Sequence, residues 1–432
     1  MRRTLTHALV RLAASLPLLG GCDLVMARDP MGDGLAPTLT ERLTNLRAEL
    51  PRSEDGLTHT IAIEGSPANF LRLRGALEGI VATDVEGAVT GPPRRARIVM
   101  LGASHVAGDL VSGYVRDRLQ RHFGDAGHGF VSAVPPFDDY WQWGVEVEEG
   151  EGWAVVEASR KFEAMDAFGP NGMAFDAFEP AWAALRTTHA SSLALYYLRQ
   201  PAGGPLEVVI DDEAHPLATE GEQNEGAIEH FEVPDGAHEV RLETHERAPV
   251  RIYGMAFERD VAGVVVDQLG LNAATAGFLL QNDEVSQRAF LASRDPDLFV
   301  VWLGNNEATE GTAIDVQAER FIGVIVRLRA AMPGAGCLVI GPLDRRQHDP
   351  DGHPFVPDAL GPIAAMQHDV ALDQGCAFYD ALAWQGGEGA VERFEAASPL
   401  LIRDDRVHLT HEGYVRFGAD LLFALIAQLE AP

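Results

Sequence analysis

In ARIVMLGASHVAGDL, residues 96–110, an apolar run ends in small residues that present Ser104 beside His105. A serine at a strand-to-helix turn stands clear of a sheet, close to helix N-terminal N–H groups that favour developing negative charge. That placement suits a nucleophile for acyl transfer, which also needs a base, a group to orient it and donors for the oxyanion. RDDRVHLTHEGY supplies Asp405 and His408 just ahead of a helical pattern. In a turn, that three-residue spacing lets a carboxylate reach one imidazole nitrogen while the other faces a serine. WLGNNEA adds Gly304, which permits close approach, and Asn306, whose side-chain amide can donate to an oxyanion; QLGLNAATA offers backbone N–H groups after another apolar run. His105 and His411 compete with His408, the first reading as a structural residue of the turn and the second as a helix-start residue. Each motif also has an ordinary reading, as a tight Gly-Ala-Ser turn, a capping aspartate or an Asn-Asn turn.

What joins these motifs is the set of elements that must carry them. Arg97 to Leu101 reads as a strand, followed by DLVSGYVRDRLQRHF with apolar residues at helical spacing. GVVVDQLG, DLFVVWLG, CLVIGP and CAFYD read as further strands, with AERFIGVIVRLRAAM and HEGYVRFGADLLFALIAQL as helices. Nearly continuous apolar strands alternating with amphipathic helices predict a doubly wound parallel sheet, in which the four turns meet at one crevice beyond the strands' carboxyl ends. Residues 141–258 differ in texture, with short alternating β-rich runs and Pro-Asp-Gly and Gly-Gly turns, and predict an all-β sandwich or jelly roll inserted at that edge. Ahead of the first strand, LTERLTNLRAEL predicts a helix, followed by an irregular stretch ending at Pro92-Pro93.

Composition narrows the partners. With 64 acidic against 34 basic residues and a formal charge of −30, the chain lacks the clustered Lys and Arg that nucleic acid or anionic lipid surfaces demand. No Cys/His cluster has metal-ligand spacing, so neither a metal nor another cofactor is expected. Cys337 and Cys376 each open a short apolar run, which leaves a disulfide and a pair of buried thiols both open. MRRTLTHALVRLAASLPLLGGC has a basic start and an apolar stretch too short to span a bilayer. Leu19-Gly20-Gly21-Cys22 resembles the lipobox of bacterial lipoproteins, whose cysteine is lipidated and becomes the N-terminus; the alternative is an ordinary secretory signal. Either places the mature protein outside the cytoplasm.

Taken in order, Gly-x-Ser, the turn after the second strand, Gly-x-Asn and Asp-x-x-His resemble the SGNH (GDSL) hydrolase superfamily. GASHVAGD, GNNEA, GGEGAVERF and DRVHLTHEGY are similar to the branch that includes peptidoglycan O-acetylesterases with an inserted carbohydrate-binding-like jelly roll. The resemblance implies an α/β fold, a flavodoxin-like doubly wound parallel sheet with an inserted all-β jelly-roll domain. With the lipobox and the change in texture already described, the chain divides into a signal peptide ending in lipidated Cys22 (1–22), a tether and helical or irregular segment (23–93), the hydrolase domain to which the resemblance applies (94–140 and 259–432), and the insertion (141–258). By the same resemblance Ser104 is the nucleophile, His408 the general base and then acid, and Asp405 its orienting partner. The oxyanion hole is the N–H of Ser104, the N–H of Ala273 and the amide of Asn306. The implied activity is removal of O-acetyl groups from a cell-wall glycan through an acetyl-serine. Alternatives are a carbohydrate O-acetyltransferase with the same triad, a lipase or broad esterase, and a non-catalytic glycan-binding lipoprotein. Two positions depart from the branch: Ala103 stands where it has an Asp, and Ala273 where it has a Gly, with Gly270 as the other possible donor. Glu307 fits the branch motif without an assigned role. Trp141 and Trp143 either stack on sugars or seal the domain junction, and Arg345 and Arg346 either meet an anionic glycan or form surface ion pairs.

Overall fold

The apolar run that leads to Ser104 forms a strand buried on both faces, and the rest of the fold is arranged about it. In the computed structural model, which describes residues 37–86, 93–138, 140–158 and 167–431, two helices come first, α1 (Leu39–Glu49) and α2 (Leu71–Glu86). Strand β1 (Arg95–Gly102) leads into a single turn of helix, α3 (Ser104–Ala107), and then α4 (Leu110–Phe123). Nine antiparallel strands follow: β2 (Gly127–Ser132), β3 (Val145–Glu151), β4 (Ala154–Glu157), β5 (Met173–Ala177), β6 (Ala181–Arg199), β7 (Pro205–Ile210), β8 (Glu213–Ala218), β9 (Glu225–Thr244) and β10 (Val250–Glu258). The α/β pattern resumes with β11 (Gly263–Gly270), α5 (Ala276–Leu279), α6 (Glu284–Arg294), β12 (Leu298–Trp302), α7 (Glu307–Glu310), α8 (Ile314–Ala331) and β13 (Gly336–Ile340). A two-residue ribbon, β14 (Gln347–His348) with β15 (Pro354–Phe355), precedes α9 (Leu360–Asp373), β16 (Ala377–Tyr379), α10 (Ala381–Trp384), α11 (Ala390–Glu395) and α12 (His411–Glu430).

The parallel sheet runs β11-β1-β12-β13-β16, the flavodoxin-like order in which the first strand of the sheet lies inside the second. Its side chains alternate between two cores. Ile98, Met100, Val266, Val300 and Leu338 pack with α1, α2, α4 and α12 on one face; Val99, Leu101, Leu269, Val301 and Val339 pack with α6, α8 and α9 on the other. Each such buried aliphatic side chain contributes roughly 1.5–3 kcal/mol, so both faces hold the strand ends in place. Cys337 in β13 and Cys376 just before β16 are joined by a disulfide, which resolves the alternative the sequence left open. No helix among the described residues is long and apolar enough to cross a membrane.

Two features correct the sequence reading. The stretch before Pro92, expected to be irregular, contains α2, whose Leu73, Ala76, Leu77, Ile80 and Val81 face the core; Gly75 and Gly79 within it lower helix propensity and obscured the pattern. The antiparallel sheet begins at Gly127 rather than 141, because β2 pairs with β10. Gly127 and Gly129 have positive φ; a Cβ on Gly127 would lie 2.4 Å from the Glu258 backbone of β10 and one on Gly129 2.4 Å from the Asp267 carboxylate, so the glycines flanking His128 let β2 lie close to both. Strands β2–β10 form the inserted all-β domain that the sequence predicts, hydrogen-bonded as one antiparallel sheet. Long strands β6 and β9 run through it with bulges between Thr187 and Ser192, and its inward side chains meet in a single apolar cluster that includes Phe175, Leu185, Leu193, Val208, Leu242 and Met255.

A buried ionic cluster stitches this sheet to the α/β part. Arg294 of α6 donates to Asp267 of β11 at 2.8 Å and also to Glu258 of β10, which takes Arg97 of β1 at 2.6 Å. Asp267 further accepts the Phe130 N–H at 2.7 Å. Such charges are tolerated in a seam only because they satisfy one another.

Candidate active site

Strand β1 ends where it nearly touches β12. A Cβ on Gly102 would lie 2.5 Å from the Trp302 carbonyl, and the Ala103 N–H donates to that same oxygen at 3.2 Å. The chain then turns at once into α3, with the N–H groups of Val106 and Ala107 on the Ala103 carbonyl, so Ser104 is the first helical residue and faces outward from the sheet edge. Ala103 is itself buried. Just past α3, Asp109 is fully buried at φ 50° and holds Arg116 at 2.6 Å, the Ser112 hydroxyl at 2.7 Å and the Trp143 N–H at 3.0 Å, tying the start of α4 to the Trp143 loop. Burial pushes its carboxyl up, but Arg116 and His128 more than offset this and hold it well below the usual carboxylate range.

The loop before α12 brings the other two residues to Ser104. His408 Nε2 lies 2.7 Å from Ser104 Oγ, and His408 Nδ1 lies 2.8 Å from Asp405 Oδ2. The second Asp405 oxygen accepts the backbone N–H groups of Val407 and His408, both at 2.9 Å. Partial burial raises the Asp405 carboxyl, and these N–H donors together with the imidazole outweigh it, so the carboxyl stays below its ordinary value and ionised. The loop is closed by the Arg403 N–H on the His408 carbonyl at 2.7 Å and by Thr410, whose hydroxyl caps α12. This is the arrangement that lets an imidazole draw the proton from a serine while a carboxylate fixes its tautomer.

The competing histidines are placed otherwise. His105 is buried, stacked 5.0 Å from Trp302, with Nδ1 2.9 Å from the Tyr414 hydroxyl. Burial, reinforced by His408, holds it well below the ordinary imidazole range, so it is neutral and structural. His411 is the exposed first residue of α12.

Two further turns lie against α3. The turn after β11 begins with the Leu271 N–H on the Gly102 carbonyl at 2.9 Å and places Ala273 at φ 58°, the left-handed region that glycine occupies without strain. Gly270 is taken up by packing, since a Cβ there would lie 2.2 Å from the Ala107 nitrogen. The turn after β12 carries Asn306, whose Nδ2 donates to the Ala274 carbonyl at 2.9 Å and so touches the Ala273 turn. Among the described residues neither the Ser104 nor the Ala273 N–H has a partner in the chain, which leaves two backbone donors for an anion.

Glu307, to which sequence reasoning gave no role, joins these turns. Its carboxylate is buried and accepts the Gly304 N–H at 2.9 Å and the Ala276 N–H at 2.9 Å. Burial, partly opposed by those N–H groups, pushes it up to about 7. Asn305, also missed, pairs both ends of its amide with the Leu343 backbone. Their adjacency to Asn306 was the available signal. Arg346 is buried on Asp344 and Glu392 and is structural. Trp143 packs on α4 at Gly113, while Trp141 leans edge-on against it, 48% exposed. Cys22 lies outside the described residues.

Residues 237–416 match the family model described as GDSL-like Lipase/Acylhydrolase family. The matched segment holds Ala273, Asn306, Asp405 and His408, while Ser104 lies before it, on the far side of the inserted sheet. Comparison with curated proteins returns no match. Among solved structures, one of a peptidoglycan O-acetylesterase is similar over 84% of this chain and 97% of its own, with 20% identity and a TM-score of 0.66. An acetyl xylan esterase is similar over 36% of this chain and 77% of its own (19% identity, TM-score 0.27), and a family two carbohydrate esterase from Cellvibrio japonicus over 66% and 100% (10% identity, TM-score 0.27). The chain thus carries a segment matching the GDSL-like lipase/acylhydrolase family, shares the fold of that O-acetylesterase structure, and presents at the sheet edge a serine hydrogen-bonded to an imidazole–carboxylate pair, the arrangement a serine hydrolase requires.

Proposed function

We propose that this protein is a carbohydrate O-acetylesterase that works outside the cytoplasm, held to a membrane through lipidated Cys22, and that its substrate is O-acetylated cell-envelope glycan such as peptidoglycan. The observation that carries the chemistry is the hydrogen-bond chain Ser104 Oγ, His408, Asp405. Ser104 Oγ attacks the acetyl carbonyl carbon as its proton passes to His408 Nε2, and Asp405 stabilises the imidazolium. The N–H of Ser104, the N–H of Ala273 and the second amide hydrogen of Asn306 receive the oxyanion. Collapse expels the sugar hydroxyl, which takes the proton from His408 and leaves acetyl-Ser104. Water, deprotonated by His408, then releases acetate and restores the serine.

Support for the substrate is chemical and comparative. A chain of formal charge −30 suits an uncharged or weakly charged polymer better than a polyanion. The similar solved structure covering 84% of this chain is of an enzyme that acts on acetylated peptidoglycan. The disulfide between Cys337 and Cys376 supports an oxidising compartment.

The test is acetate release from a chromogenic acetyl ester and from O-acetylated peptidoglycan, by the protein and by its Ser104→Ala variant. The expected result is release from both substrates, lowered by at least about 10³-fold in the variant. Release from the small ester alone would remove the glycan assignment. Acetate appearing only on an added sugar acceptor would make the enzyme a transferase, and no serine-dependent release would leave a binding protein.

A further inference from the structure

In a chain so rich in carboxylates, a guanidinium beside the active site that has none for a partner calls for an explanation. Arg345 stands in the loop after β13, and that loop is tied to both halves of the site. On one side the amide of Asn305 pairs with the Leu343 backbone at 2.9 and 3.1 Å, next to Asn306. On the other, the Arg346 N–H donates at 3.0 Å to the carbonyl of Arg406, which lies between Asp405 and His408. Arg345 is therefore bracketed by the oxyanion turn and the imidazole loop. Its side chain is half buried and donates through Nη1 to the Asn305 carbonyl at 2.9 Å, while its Nε is buried without a hydrogen-bond partner. Among the described residues it forms no ion pair. Its neighbour Arg346, by contrast, is held by two carboxylates.

A guanidinium withdrawn from water without a counter-charge is costly unless an anion is supplied later. Asp405 is close enough to act on it electrostatically, but both Asp405 oxygens already serve His408 and the Val407 N–H. The fork geometry of arginine matches a carboxylate through two parallel N–H donors. From this placement we infer that Arg345 is a specificity-determining residue that binds a carboxylate on the sugar bearing the ester, so that the preferred substrates are acetylated acidic sugars. The inference rests on the acetylesterase reading and narrows its substrate class. It is compatible with the overall negative charge, because one half-buried guanidinium selects a single local anion rather than a polyanion.

The test compares two acetyl esters of one sugar, an O-acetylated sugar acid with its carboxylate free and the same compound as its methyl ester. Each is hydrolysed by the wild-type protein and by the Arg345→Gln and Arg345→Lys variants. The expected wild-type preference is for the free acid. In Arg345→Gln, kcat/KM for the free acid falls roughly tenfold to hundredfold, mainly through KM, as befits one charged hydrogen-bonded pair. Hydrolysis of the methyl ester changes less than about threefold, and Arg345→Lys restores the acid preference only in part. Equal losses on both esters would overturn the proposal and make Arg345 a counter-charge for Asp405; no loss on either would overturn it as well. If the wild-type protein hydrolyses neither ester, the acetylesterase reading itself fails, and binding of the deacetylated sugar acid to wild type and Arg345→Gln still reads the arginine's role. Weaker binding to the variant keeps the anion site, and equal binding removes it.

Discussion

The carboxylate of Glu307 bridges the N–H of Gly304 and, across to the turn after β11, the N–H of Ala276, each at 2.9 Å. It therefore sets the spacing between the turn that carries Asn306 and the turn that carries Ala273.

Replacing this residue, Glu307→Gln, keeps one acceptor and turns an N–H toward the other backbone donor. The ionised carboxylate accepts both N–H groups, whereas the protonated form, like glutamine, accepts only one well. At pH 8 the variant is expected to show kcat about tenfold lower with little change in KM, and the gap should shrink toward pH 5.5. Stability has the opposite sense. The folded carboxyl is raised to about 7 from an ordinary 4.5, so between those values the native state holds more protons than the unfolded one, and wild-type stability falls as pH rises through that window. Urea denaturation at pH 5 and pH 8 should show that slope in the wild type and a smaller one in the variant. A pH-independent difference between the two proteins would refute the clasp.

Ala273 occupies φ 58°, where a Cβ costs roughly 1–2 kcal/mol. Ala273→Gly removes that strain but frees the unfolded chain by roughly 0.4–1 kcal/mol. The net expectation is a gain of about 0.5 kcal/mol in denaturation experiments, with kcat equal to or above wild type. Ala273→Val, with a branched Cβ at the same φ, should lose most activity as the N–H is turned from the site. If the glycine variant is the less active of the two, the backbone of residue 273 is not a donor.

Asp109 and Arg116 form a buried pair at the start of α4, against the Trp143 loop. Asp109→Ala leaves the guanidinium unpaired and withdraws acceptors from Ser112 and Trp143, which should lower stability by about 3–5 kcal/mol. The double variant Asp109→Asn with Arg116→Met should recover part of it, measured as a shift in the urea midpoint. Equal destabilisation in both would mean that the unpaired guanidinium is not the source of the loss.

Much of this molecule was legible along the chain because the relevant signals are local. Apolar runs ending in Gly-Ala-Ser, Gly-Asn-Asn and Leu-Asn-Ala-Ala mark strand ends in a parallel sheet, and such ends share one edge. Asp405 and His408 are three residues apart, so one short loop suffices to align them. Helix α2 was hidden because two glycines on its outer side lower its helix propensity, and β2 because its glycines answer to β10 and β11 rather than to their own neighbours.

What only tertiary structure decided are the relationships between residues far apart in the chain. Ser104 meets His408 across 304 residues, and the disulfide between Cys337 and Cys376 depends on the pairing of β13 with β16. The clasp of Glu307 on Ala276 and the isolation of Arg345 depend on loops from different strands closing over one another. Sequence determines which side chains each turn offers, since backbone conformation and hydrophobic period are short-range. Which of those side chains find a partner is decided by packing, because a charge or a hydrogen bond acts over a few ångströms of space regardless of the length of chain between.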